Sequence, residues 1–209
     1  MATDEEQVEK LKQWWKENGR AVIAGIVIGV GSLVGYRYWI DYQEVNAEQA
    51  SSHFVQMVNA IESGNHDAAD EQANTLLDEY ASSEYATMAR FALAKTRVEA
   101  EDYDKAQHHL QQVIGNAGDS PLAYVARQRL AMIQLQMTKF DEALKTLSID
   151  FPSQFSASIE ELKGDLYASQ GNKAEAVSAY RKAQQSQPGP ANADFLQQKL
   201  DDLGTGSTG

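Results

Sequence analysis

The chain of 209 residues contains no cysteine and only four prolines. Without cysteine it can neither form a disulfide nor be processed as a lipoprotein. Its folded part therefore has to be held together by its apolar core, even in an oxidising compartment. Scarce proline, combined with abundant alanine, leucine, glutamine and glutamate, is typical of helical proteins. These absences predict an all-α fold.

Basic residues are also few, with 18 lysines and arginines against 30 aspartates and glutamates and a net charge of −12. Five residues of each sign lie in the first 40 positions, so residues 41–209 carry the whole excess of negative charge. Because an acidic surface repels phosphate backbones, this distribution argues against nucleic-acid binding.

The sequence lacks the motifs of catalysis and of metal binding. It has no nucleophile elbow, phosphate-binding loop or dinucleotide fingerprint. His108 and His109 are adjacent, about 100° apart on a helix, and do not share a face as an i, i+4 metal pair does. Glu101, Asp102 and Asp104 lack the ligand spacing and the glycine of a calcium loop. We therefore predict a protein that is not an enzyme, with no catalytic residue, cofactor or metal site.

Long apolar runs are missing too, with one exception from Ala21 to Ile40. Twenty residues at about 1.5 Å each span roughly 30 Å, the thickness of a bilayer's hydrocarbon core. The alternative, a cleaved signal peptide, requires small residues at its end, whereas this run ends on Tyr36-Arg37-Tyr38-Trp39. Such rings suit an aromatic belt at the membrane interface. We predict an uncleaved transmembrane anchor over residues 21–40.

Lysine and arginine are distributed unequally around this run. Lys10, Lys12, Lys16 and Arg20 precede it closely, whereas only Arg37 lies near its far end. The positive-inside rule then predicts a cytoplasmic tail over residues 1–20 and an exported domain over residues 41–203. For a bacterium, this is a single-pass protein of the cell inner membrane whose C-terminal domain lies in the periplasm.

Four glycines within the run have the small-residue spacing that lets membrane helices pack closely. They form two i, i+4 pairs, which are Gly25 with Gly29 and Gly31 with Gly35. The alternative is that glycine is simply frequent in membrane helices. We predict that the four glycines form a face for packing against another membrane helix.

Three segments of the predicted exported domain align as internal repeats with spacings of 37 and 33 residues. In each, a small residue precedes an alanine by twelve positions, and a large apolar residue follows four positions later. The three sets are Ala94, Ala106 and Leu110; Ala131, Ala143 and Leu147; and Gly164, Ala176 and Tyr180. The tetratricopeptide repeat, a helical hairpin of about 34 residues, has this pattern.

The repeats predict a tetratricopeptide-like helical-hairpin solenoid over residues 41–203. A degenerate unit is expected upstream, with Gly64 ending its first helix, and a terminal helix is expected from Asn192 to Leu203. Residues 204–209, which are rich in glycine, serine and threonine, are predicted to be a flexible tail.

The chain resembles the YfgM family of bacterial inner-membrane proteins over nearly its whole length, most specifically from Gln7 to Trp39. The resemblance is carried by Gln7-Val8-Glu9, Glu17-Asn18-Gly19, Gly29-Val30-Gly31 and Arg37-Tyr38-Trp39. It implies association with the Sec translocon (SecYEG), partnership with the periplasmic chaperone PpiD, and help in passing newly exported, unfolded proteins to periplasmic chaperones. It also implies a cytoplasmic link to the response regulator RcsB. The alternative function is a structural scaffold that tethers another envelope assembly without binding clients.

In a tetratricopeptide stack the first helix of each repeat lines the concave side. Registered from Ala94 and Ala131, the groove positions are Met88, Phe91, Lys95, Val98, Val125, Gln128, Met132 and Leu135. Six of these eight are apolar, and methionine suits surfaces that bind varied partners. We predict a groove for apolar segments of a client or partner. The alternative is that the protein's own helices fill the groove and bury these residues as core.

Overall fold

The computed structural model describes residues 4–205, with side chains for residues 6–204. Over this range the chain forms helices and no strand, which confirms the all-α class. The helices are α1 (Asp4–Glu62), α2 (His66–Glu79), α3 (Glu84–Glu99), α4 (Tyr103–Ala117), α5 (Pro121–Gln136), α6 (Phe140–Thr146), α7 (Ser156–Ser169), α8 (Lys173–Gln185) and α9 (Ala193–Leu200). A 3-10 turn, Ser153–Phe155, precedes α7, and a π-helical turn, Asp201–Thr205, follows α9.

Helix α1 contains the apolar run and continues through it without a break over 59 residues. Among the described residues it is the one helix long and apolar enough, by length and composition, to cross a membrane. Only 6% of its most apolar stretch is buried. The chain divides into two compact units, Met1–Ser52 and His53–Gly209, and the helical hairpins belong to the second.

The turns of the four hairpins share one backbone feature at equivalent positions. Each contains a residue in the left-handed region: Gly64 (φ 73°), Glu101 (φ 57°), Thr138 (φ 59°) and Gly171 (φ 80°). In every turn the next residue donates its N–H to a carbonyl five positions earlier, at 2.8–2.9 Å, which closes the preceding helix. The turns lie 37, 37 and 33 residues apart, as do the repeats. The degenerate upstream unit therefore ends its first helix in the same way as the others.

The nine repeat-defining residues are all buried. Ala94, Ala106 and Leu110 lie in one core cluster, which joins α3, α4 and α5. Glycine replaces alanine in the third repeat for a steric reason, because a Cβ on Gly164 would overlap the ring of Tyr180. Small residues thus allow the two helices of each hairpin to approach closely, as the repeat pattern predicts.

The predicted terminal helix is present as α9. The Asn192 side chain caps it by accepting the Phe195 N–H at 3.0 Å, and Leu196 and Leu200 are buried in a core cluster with Tyr180. Of the predicted flexible tail, residues 204 and 205 belong to the π-helical turn, and residues 206–209 lie outside the described residues. Helix α9 therefore covers the last repeat, whose apolar surface would otherwise be exposed.

Candidate functional site

A cavity of about 530 Å³ lies between α3, α4 and α5. Its lining includes four of the eight predicted groove residues, namely Phe91, Lys95, Val98 and Met132. Met132 of α5 is 57% exposed although it is apolar. Such exposure is a cost in water unless a partner covers the side chain. The cavity is therefore the strongest candidate site on the second unit.

The structure does not bring the other four predicted groove residues to this cavity. Met88 is 45% exposed on α3 but lies outside the lining, and Val125 is half-buried on α5. Gln128 donates to the Ser158 hydroxyl at 2.7 Å, and Leu135 packs on the core cluster that joins α5 and α6 to α7 of the next repeat. Gln128 and Leu135 thus join neighbouring repeats rather than line open space.

The cavity also has a charged rim that the repeat register does not reveal. The Arg129 guanidinium lies 4.8 Å from the centre of the Phe91 ring, a cation–π contact between α5 and α3. Lys95 is 76% exposed in its side chain and lies 3.6 Å from the Glu99 carboxylate. Residues 129, 132, 133 and 136 follow an i, i+3, i+4, i+7 pattern along α5, and that period would have indicated Arg129.

At the third repeat the equivalent concave positions are closed. Glu161 and Asp165 occupy the register of Phe91 and Lys95, and the Lys199 ammonium of α9 donates to both, at 2.9 Å and 2.7 Å. The Tyr180 hydroxyl donates to Asp165 at 2.7 Å. The concave side is thus open at α3 and α5 and covered by α9 at α7.

The electrostatics of this closed end stabilise the cluster. Burial alone lowers the pKa of Lys199, but its bonds to Asp165 and Glu161 outweigh burial and raise that pKa above its ordinary value. Burial also raises the pKa of Tyr180, and the hydrogen bond to Asp165 raises it further. Lys199 therefore stays charged and Tyr180 stays a hydrogen-bond donor at neutral pH.

The four predicted helix-packing glycines lie on the exposed part of α1. A Cβ built on Gly25, Gly29, Gly31 or Gly35 would meet no atom within 4 Å. Elsewhere, the side chains of residues 6–204 include no group of three or more histidines or carboxylates that could hold a metal ion. Among the described residues, the apolar cavity and the glycine-bearing stretch of α1 are thus the features with open contact surface that include predicted site residues.

The chain is similar to known proteins over most of its length. Residues 12–205 match the family model of the tetratricopeptide repeat-like domain. An Escherichia coli protein named ancillary SecYEG translocon subunit is 32% identical over 207 residues, covering 96% of each chain. The proteins of that name from Haemophilus influenzae and Neisseria gonorrhoeae are 31% and 30% identical, covering 88% and 96% of this chain and 89% and 97% of their own.

Solved structures support the fold. The crystal structure of MamA protein has a TM-score of 0.55 at 17% identity, covering 76% of this chain and 84% of its own. A tetratricopeptide repeat protein from Parabacteroides merdae has a TM-score of 0.50 at 16% identity, covering 74% and 57%. At such identities the likeness concerns the arrangement of helices alone. Together with the near full-length relatives and the family model, it confirms the predicted resemblance, and the chain belongs to the YfgM family of tetratricopeptide repeat-like proteins.

Proposed function

We propose that this chain is a membrane-anchored ancillary subunit of the Sec translocon that helps to pass newly exported proteins to periplasmic chaperones. The observation that carries the proposal is the match to relatives named ancillary SecYEG translocon subunit over nearly the whole chain. A long apolar helix followed by a repeat unit suits a protein that binds others at a membrane. The function proposed is binding, without catalysis.

The proposed topology follows from α1 and the basic residues before its apolar run. Residues 1–20 lie in the cytoplasm, residues 21–40 cross the inner membrane, and residues 41–203 lie in the periplasm. Protease added to spheroplasts should then digest the repeats and spare a tag on the N-terminus. Protection of the repeats, or a mature protein that begins near Gly35, would contradict this arrangement.

The exposed glycines of α1 are the proposed contact with a membrane helix of the translocon. Replacing Gly25 and Gly29, or Gly31 and Gly35, with leucine should reduce co-purification of translocon subunits, because leucine prevents close approach of the two backbones. Ile28→Leu is a matched control on the same exposed stretch. Unchanged co-purification of both double variants would remove the glycines from the proposal. Absence of translocon subunits from the wild-type purification would instead favour the scaffold function.

The cavity between α3 and α5 is the proposed site for apolar segments of unfolded exported proteins or of PpiD. A photo-crosslinker placed at Met132 in the full chain should capture such segments in native membranes, whereas one at the exposed Gln111 of α4, outside the cavity lining, should not. The double variant Phe91→Ser with Met132→Glu should lose binding and keep its helical circular dichroism. Collapse of the fold would show that these residues are core. A link of the cytoplasmic tail to RcsB is a separate proposal, tested by co-purification with residues 1–20 deleted.

A further inference from the structure

The rim of the cavity carries a cation that the described protein does not neutralise. Arg129 lies against the Phe91 ring, and no carboxylate among the described residues is within ion-pair distance of its guanidinium. The other cation of the rim, Lys95, has Glu99 as its partner. One positive charge therefore remains beside an apolar cavity, within a unit whose excess charge is negative.

The chemistry of this cation restricts what it can bind. A guanidinium is planar and weakly hydrated, so it can stack on a ring with one face and still present its N–H groups to a carboxylate. Hydrogen bonds from arginine to a carboxylate are among the stronger ones in proteins, and an apolar side chain bound in the cavity would shield this one from water. The Phe91 contact holds the guanidinium at the cavity mouth and reduces the entropy lost on binding.

The open surface is also limited in length. Beyond α5, Gln128 is bonded to Ser158, and the rings of Tyr124 and Phe155 lie 5.2 Å apart. At α7 the concave carboxylates are already bound to Lys199. A bound segment therefore makes its contacts at α3 and α5, where Arg129 lies.

We propose that this cavity selects peptide segments in which a large apolar side chain is accompanied by an aspartate or glutamate that pairs with Arg129. In a helical segment the carboxylate would stand one turn from the apolar residue, where side chains are about 5–6 Å apart at Cβ. The inference rests on the proposed function of the cavity and adds the chemistry of the partner. Long-range repulsion by the acidic unit opposes such a segment, so selection depends on the short-range contact with Arg129.

The test uses the full chain in lipid nanodiscs and three fluorescent amphipathic peptides of about 15 residues. The peptides share an apolar face of leucines and differ at one position, a helical turn from the central leucine, which holds aspartate, asparagine or lysine. The wild type should bind the aspartate peptide about three- to tenfold more tightly than the asparagine peptide, and the lysine peptide most weakly. Arg129→Gln should abolish the difference between the aspartate and asparagine peptides, and Arg129→Lys should restore part of it.

The matched control is Arg127→Gln, which removes the same charge from the same helix outside the cavity lining and should keep the preference. Equal binding of all three peptides by the wild type, or a preference that survives Arg129→Gln, overturns this inference. If binding is equal but still lost in Phe91→Ser with Met132→Glu, the cavity retains its proposed function and only the acidic selection fails. If no peptide binds, the cavity's proposed function fails as well.

Discussion

The concave side of the repeats has an open end and a closed end, which can be compared at equivalent repeat positions. At the open end, on α3 and α5, Lys95 and Met132 occupy equivalent positions of their repeats, directly after the small residue. Both side chains are largely exposed. At the closed end, on α7, the same position holds Asp165, which binds Lys199 of α9 and the hydroxyl of Tyr180. Lys95, Met132 and Asp165 thus share one repeat position on the concave side. The residue type, together with a neighbouring helix, determines whether they remain available to a partner.

The largest expected effect is at the closed end. Gly164→Ala should lower the free energy of unfolding by about 1–3 kcal/mol, because the new Cβ overlaps the Tyr180 ring and the better helix propensity of alanine does not compensate. Urea denaturation of the detergent-purified chain, followed by circular dichroism, measures this loss. The double variant Gly164→Ala with Tyr180→Leu has the alanine and leucine combination of the open end. Its loss of unfolding free energy should therefore be smaller than the sum of the losses in the two single variants. Strict additivity would contradict the steric explanation.

Next in size is the removal of the cation that closes the third repeat. Lys199→Met should cost about 1–2 kcal/mol, because its side chain is only 19% exposed and its loss leaves the carboxylates of Glu161 and Asp165 without a cation. Lys95→Met is the matched variant at the open end and should change stability by less than about 0.5 kcal/mol. Equal losses in the two variants would show that the ends do not differ as described. Hydrogen exchange should also increase in α9 after Lys199→Met.

A smaller effect of opposite sign is expected in a hairpin turn of the open end. Thr138 adopts a left-handed conformation (φ 59°) that strains a β-branched residue, while the closed end has Gly171 at the equivalent position. Thr138→Gly should therefore raise the free energy of unfolding by about 0.5–1 kcal/mol, net of glycine's entropy in the unfolded chain. Gly171→Ala should do the reverse at the closed end. A Thr138→Gly variant less stable than wild type would argue against strain in this turn.

The smallest effect is expected from pH, because the side chain involved is only half-buried. At the open end, burial lowers the pKa of His109 on α4, and His108, Arg97 and Arg90 lower it further while Asp70 opposes them. As the pH is lowered, the unfolded state therefore binds a proton at this histidine before the folded state does. The free energy of unfolding then falls as the pH drops from about 6.5, the ordinary pKa of histidine, towards the lower pKa of the folded state. Denaturation midpoints from pH 7 to pH 5 should decline less in His109→Gln than in wild type.

At the closed end the dependence has the opposite direction. The pKa of Lys199 is raised in the folded state, so its contribution is complete below the ordinary lysine pKa of about 10.4 and is lost as the pH rises through the raised value. Alkaline destabilisation should therefore shrink in Lys199→Met. A wild type and variant with parallel alkaline curves would contradict a role for the Lys199 charge.

Much of the fold could be predicted because it depends on local patterns. Alanine at 94 and 131 and glycine at 164 indicated the helix crossings, and the turn that ends at Gly64 lies one repeat length before that at Glu101. The candidate site could be predicted only in part. The register indicated Phe91 and Met132, which line the cavity, but also Gln128 and Leu135, which pack between repeats.

The sequence by itself determined the helical class, the apolar run and the repeat register, because each depends on composition or on a period that spans one or two helices. Only the tertiary structure decided which part of the concave side is open. Lys199 meets Glu161 and Asp165 across 38 and 34 residues, and Arg129 meets Phe91 from a neighbouring repeat. No local period encodes such pairs, because they form only when packing brings distant helices together.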